Sequence, residues 1–143
     1  MPKRFESLGL SFLYPDNWTG SEDHTAGAFM IESPEGAFLA ITRFEGSDLK
    51  APVEQAKAVM EGEYEEIEVE PLQKEIANTH LYGVTQRFVY LDLIVVSHLL
   101  SFAGHGCTYL VQIQAEDRDM IRLDLVFDAM LTSICQSVQS SAC

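Results

Sequence analysis

The sequence predicts an α+β domain, an antiparallel sheet of about six to seven strands flanked by helices on both faces. Two observations carry this reading. The stretch from Tyr82 to Gln114, YGVTQRFVYLDLIVVSHLLSFAGHGCTYLVQIQ, is rich in β-branched and aromatic residues and holds only two charged side chains, Arg87 and Asp92. Within it, residues 93–103 are apolar on both alternating faces: Ile94, Val96, Leu100 and Phe102 on one, Leu93, Val95 and Leu99 on the other. A sheet with one wet face would alternate apolar with polar, so this strand calls for helices, or a helix and long loops, above and below.

The run is not a membrane span, which needs roughly 18 to 20 uninterrupted apolar residues; Asp92, Ser97, His98 and Ser101 break it. Nor does it suit a long helix, because Val84, Thr85, Val89, Ile94, Val95, Val96 and Thr108 are β-branched and Gly83, Gly104 and Gly106 punctuate it. Three strands are expected, about 80–91, 93–103 and 107–115. Ala103-Gly104-His105-Gly106 supplies the glycines that a turn needs, whereas the turn near Leu91-Asp92 has none.

From the N-terminus, residues 8–14 (LGLSFLY) read as a strand closed by Pro15-Asp16-Asn17-Trp18. A polar loop over 19–25 leads to a hairpin, residues 27–33 and 37–44 around Pro34-Glu35-Gly36. A helix opens at Asp48 or Lys50-Ala51 with Pro52 in its first turn, and buries Val53, Ala56, Met60 and Tyr64. Residues 67–76 alternate apolar with acidic and carry Pro71, which marks an edge strand; a turn at Asn78-Thr79 follows. Glutamates 61, 63, 65, 66, 68 and 70 line this passage, and a solvated edge that resists aggregation explains them more simply than a paired-carboxylate site. The chain closes in a helix over 116–138, with Met120, Leu123, Phe127, Met130 and Ile134 as its buried stripe and Ile121, Val126 and Leu131 widening it. Residues 139–143 are expected to fray.

A chain of 143 residues without repeats or linkers is one domain, 1–143. Its net charge of −13, from 22 acidic and 9 basic residues, repels nucleic acid and anionic membranes. Three cysteines, Cys107, Cys135 and Cys143, cannot all pair within the chain, and no apolar run of signal-peptide length opens it. A cytoplasmic location is therefore expected.

The order strand, hairpin, helix, antiparallel strands, helix resembles the PsbP-like superfamily. So do Phe12-Leu13-Tyr14-Pro15-Asp16-Asn17-Trp18, Thr108-Tyr109-Leu110-Val111, and Phe127 with Leu131-Thr132-Ser133-Ile134. That group includes PsbP, a Ran-binding import factor and DcrB-type proteins. The resemblance implies an α/β/α sandwich and a binding or assembly role without catalytic residues. Lumenal and periplasmic members are exported, whereas no leader is read here, and no Ran-binding surface is matched, so neither specific role carries over.

No phosphate loop, CxxC, HExxH or GxSxG is present. His105-Gly106-Cys107 is the best reactive candidate, an imidazole two residues from a thiol; the simpler account is a hairpin turn followed by a cysteine packed as an apolar residue. His24, His80, His98 and His105 lack zinc-site spacing, and His98 reads as a hydrogen-bonded core residue. Trp18 reads as a plug at the sheet's end rather than a partner anchor. No catalytic, cofactor-binding or metal residue is assigned. The expected function is a non-enzymatic protein-binding or assembly module; the alternative is a carrier or enzyme for a small apolar ligand held between the C-terminal helix and the sheet. The expected partner is a protein, not nucleic acid or membrane, with homodimer formation through an edge strand left open.

Overall fold

The computed structural model describes residues 2–140. In chain order the elements are β1 (Lys3–Ser7), β2 (Leu10–Tyr14), β3 (Thr19–Asp23), β4 (Ala28–Glu32), β5 (Phe38–Glu45), α1 (Lys50–Glu63), β6 (Glu68–Ile76), β7 (Thr79–Tyr90), β8 (Leu93–Ala103), β9 (Cys107–Glu116) and α2 (Asp117–Ser140). Seven strands form one sheet in the order β3-β4-β5-β9-β8-β7-β6, antiparallel throughout; β1 and β2 pair as a separate ribbon. The fold is α+β.

The three central strands lie where the sequence places them, with β6 at an edge as Pro71 requires. Their neighbours Leu99 and Leu100 go to different cores. Leu99 packs with Val53 of α1, Val84 and Leu110. Leu100 joins the main core with Phe102, Val111, Ile113 and the α2 residues Leu123, Phe127, Met130, Leu131 and Ile134. Asp48 fixes the start of α1, its carboxylate accepting from the amides of Lys50 and Ala51 at 2.9 and 3.3 Å, so two of the helix's orphan donors are satisfied.

Two strands depart from the sequence reading. Residues 3–7 form β1, and the strand expected over 8–14 starts at Leu10, because Leu8 and Gly9 make a two-residue turn with φ of 57° and 79°. Residues 19–23 form β3 rather than a loop. Both are polar strands held by backbone pairing, and a pattern of apolar residues cannot reveal them. Phe5 is the apolar anchor of β1; its ring centroid lies 4.7 Å from that of Phe29 and 5.7 Å from that of Phe12. The hairpin turn between β6 and β7 is Ala77-Asn78 rather than Asn78-Thr79. Ile121 does not widen the buried stripe of α2: it is 75% exposed. Helix α2 continues over 139–140, and the remaining residues of the stretch expected to fray, 141–143, lie outside the described residues.

Helix α2 also clips the small ribbon to the body. The Ser137 and Ser133 hydroxyls accept from the amides of Ser11 and Leu13, at 2.7 and 3.0 Å. A four-residue step along a helix rises about 6 Å and a two-residue step along a strand about 6.6 Å, so the two spacings match. Trp18 is 6% exposed and its ring meets Phe127 edge-on at 5.5 Å, the plug expected of it. Among the described residues, no helix is long and apolar enough to cross a membrane.

Candidate functional site

The His105-Gly106-Cys107 corner does not assemble a nucleophile with its base. His105 turns away: its Nε2 lies 2.9 Å from the carbonyl of Val138, which can only accept, so Nε2 carries the hydrogen and donates it. Cys107 is 2% exposed. Register brings it beside two residues that no local motif could indicate, because Arg43 pairs with Tyr109 and Glu45 with Cys107 across β5 and β9. The Arg43 guanidinium is held above its ordinary value, first by its hydrogen bond to Cys107. Burial, together with Cys107, pushes Tyr109 up to about 12, and its hydroxyl donates to the carbonyl of Leu8 at 2.7 Å. Tyr109 is thus a structural donor at neutral pH. With Leu8, Gly9 and Val138, these residues border an open cleft of about 280 Å³. Cys135, fully buried, has its thiol pushed up to about 11 by burial.

Both cysteines are therefore expected to react slowly. In a Cys143→Ser background, thiol-reagent labelling of the native protein should run at least ~10-fold slower than in denaturant, because it requires local opening. Labelling of Cys107 at the rate of a free thiol would reinstate the reactive reading.

His98 is hydrogen-bonded as expected, but it is half-buried and lies outside both core clusters. Its Nδ1 lies 2.8 Å from the Thr85 hydroxyl. Burial pulls its pKa below the ordinary value; Lys74 and Arg87 push the same way, against Asp124 and Asp128. The folded chain holds fewer protons here than the unfolded chain, so the contribution to stability is full above about pH 6.5 and declines as pH falls through and below it. His98→Asn should flatten that decline in denaturation midpoints compared between mildly acidic and neutral buffer; an unchanged slope would contradict the assignment. The other histidines are dispersed: His24 beside Glu22 at 3.1 Å, His80 on β7, His105 in the β8–β9 turn.

The feature that sequence reasoning missed is the far end of the β7–β8 hairpin. Pairing of β6 to β7 stops at Glu68 opposite Arg87, and pairing of β9 to β8 stops at Glu116 opposite Val95. Beyond those points Val89 pairs with Ile94 and Tyr90 with Leu93, with no flanking strand among the described residues. The hairpin ends as an apolar prong, and Val89, Tyr90, Leu91, Leu93 and Ile94 are all exposed, Leu91 by 78%. The expectation that residues 93–103 are covered on both sides thus fails at Leu93 and Ile94, because the neighbouring strands end before them. Leu91 and Asp92 both take left-handed φ, 52° and 65°, the pattern of a type I′ turn that ordinarily uses Asn-Gly. For a leucine this conformation costs about 1–2 kcal/mol.

The prong is braced. Tyr64, at the end of α1, stacks on Phe88 at 4.1 Å and meets Tyr90 edge-on at 5.8 Å. Acidic residues flank it: Glu65, Glu66 and Glu68 line an open cleft of about 320 Å³ with Arg87, Phe88, Val89 and Ile94. The nearby cations are engaged with acids, Arg87 with Glu70 at 3.6 Å and Arg118 with Glu116 at 3.2 Å.

Solved structures share this architecture. The solution structure of cyanobacterial PsbP (CyanoP) from Synechocystis aligns over 92% of this chain and 90% of its own, with a TM-score of 0.66 and 14% identity. A crystal structure from Bacteroides thetaiotaomicron aligns over 92% of this chain and 47% of its own, with a TM-score of 0.64 and 18% identity. LpqN, described as involved in cell envelope biogenesis of Mycobacterium tuberculosis, aligns over 91% of this chain and 80% of its own, at 0.53 and 12%. No protein-family model and no curated protein sequence matches the chain. The chain has the PsbP-like fold, and at these identities the likeness is one of fold alone.

Proposed function

We propose that this chain is a non-enzymatic protein-binding or assembly module that acts through its surface. The observation that carries the reading is the packing under α2, where the alternative would place a ligand. Phe127, Leu131 and Ile134 from the helix, with Ile31, Leu39, Ile41 and Phe102 from the sheet, are almost fully buried in one cluster. Side chains fill that space, as expected of interiors packed to crystal-like density. The frame is a helix/sheet/helix sandwich, supported by the division of Leu99 and Leu100 between a cluster with α1 and a cluster with α2. Free Cys107 and Cys135 fit work in the cytoplasm, a reducing compartment.

The alternative of a small apolar ligand carrier has one feature in its favour, lying outside the core. Leu13, Tyr14, Pro15, Leu125, Val126 and Met130 line an open apolar cleft of about 450 Å³ between β2 and α2. A cleft this open shelters little of a ligand's surface, compared with sites that enclose most of it.

The test is crosslinking in the native cell followed by capture of the tagged chain at its natural abundance. The reading expects a protein retained in stoichiometric amount and lost on competition with untagged chain. Capture no richer than an untagged control would contradict it.

A further inference from the structure

The prong joins an exposed apolar surface to a strained turn. Leu91 is an exposed apolar side chain held in a left-handed conformation, and Val89, Tyr90, Leu93 and Ile94 around it are also exposed. Backbone strain of this kind gathers at binding sites. The bracing of Phe88 and Tyr90 by Tyr64 keeps the tip in one shape, so little order has to be gained on binding.

We infer that the tip Val89–Ile94 is the docking element of the binding module, and that its partner is another protein presenting an apolar cleft rimmed by lysine and arginine. The inference rests on the binding-module reading above and names the site and the partner's chemistry. Charge selects among occupants. The prong rises from a surface carrying Glu65, Glu66, Glu68, Asp92, Glu116 and Asp117, against Arg87 and Arg118. Anionic lipid headgroups would be repelled by that rim. A second copy would bring an identical acidic rim against it, on a chain of net charge −13. A basic rim instead gains attraction at the edge while the apolar tip is desolvated at the centre, the division of labour found in protein interfaces.

The test places a photo-crosslinking amino acid at Leu91 of the full chain in its native cell, and in a second strain at Leu125, an exposed leucine of α2. The inference expects a heterologous protein adduct from position 91, mapped to an apolar cleft with basic neighbours and diminished as salt rises in lysate. An adduct with another copy of this chain would overturn it, as would recovery only with lipid, or no protein adduct from position 91. A partner crosslinked from 125 and not from 91 would leave the binding-module reading standing and remove the prong from it. With the partner in hand, Leu91→Asn should lose about 30-fold in affinity, as at an interface hot spot. Asparagine suits the left-handed turn, so the melting temperature should hold or rise. Unchanged affinity in a stably folded Leu91→Asn protein would contradict the inference.

Discussion

Phe127→Ala is expected to cost about 3–5 kcal/mol, the range for removing a buried ring from a core that cannot collapse around the loss. Phe127 is 2% exposed, sits mid-way along α2 in the main cluster, and carries the edge-on contact with Trp18. Its loss should therefore loosen both the helix and the corner that follows β2. Denaturant unfolding checks the size of the effect, and Trp18 fluorescence checks its place. The variant should also gain affinity for benzene or xenon, which enter dry apolar cavities. A loss below about 1 kcal/mol, or equal benzene binding by the parent protein, would mean that the space under α2 is not packed as described.

Gly83→Ala is expected to cost about 3 kcal/mol, at the upper end of overpacking losses, because backbone must move and not only a rotamer. Gly83 lies on β7 opposite Leu100 of β8, and a β-carbon there would collide with the carbonyl oxygen of Leu99 and approach the Leu100 side chain to 2.9 Å. The cost arises from the β7–β8 pairing that joins the two cores, so it reports on the sheet's centre directly. Unfolding midpoints should fall sharply with an unchanged denaturant slope. Stability within about 0.5 kcal/mol of the parent would show that the two strands are not so closely apposed.

The middle of the sheet was legible because its residues are β-branched and apolar on both faces, and because burial on both faces leaves no other place for them. The two helices were legible from the spacing of Val53 and Met60 and of Met120, Leu123, Phe127, Met130 and Ile134. Strands β1 and β3 were not. KRFES and TGSED are held by backbone bonds to β2 and β4, which leave no periodic trace in side-chain character. Ile121 fits the helical spacing, yet lies on the solvent side of α2.

The site was less legible for a related reason. Leu93 and Ile94 continue an apolar alternation that reads as buried, and only the ends of β6 and β9 decide that they are bare. The one local hint is the two-residue turn at Leu91-Asp92, which lacks the glycine that such a turn favours. The proximity of Arg43, Cys107 and Tyr109 depends on the register of strands distant in sequence, which no short motif records.

The claim beneath all of this is that the chain keeps its interior for itself and meets the rest of the cell with its surface. The direct measurement is the native mass of the protein purified gently from its own cells, followed by denaturation and analysis of what is released. The account predicts the mass of the polypeptide, alone or with a protein partner, and no small molecule in stoichiometric amount. One apolar molecule released per chain on unfolding would contradict it and favour the carrier.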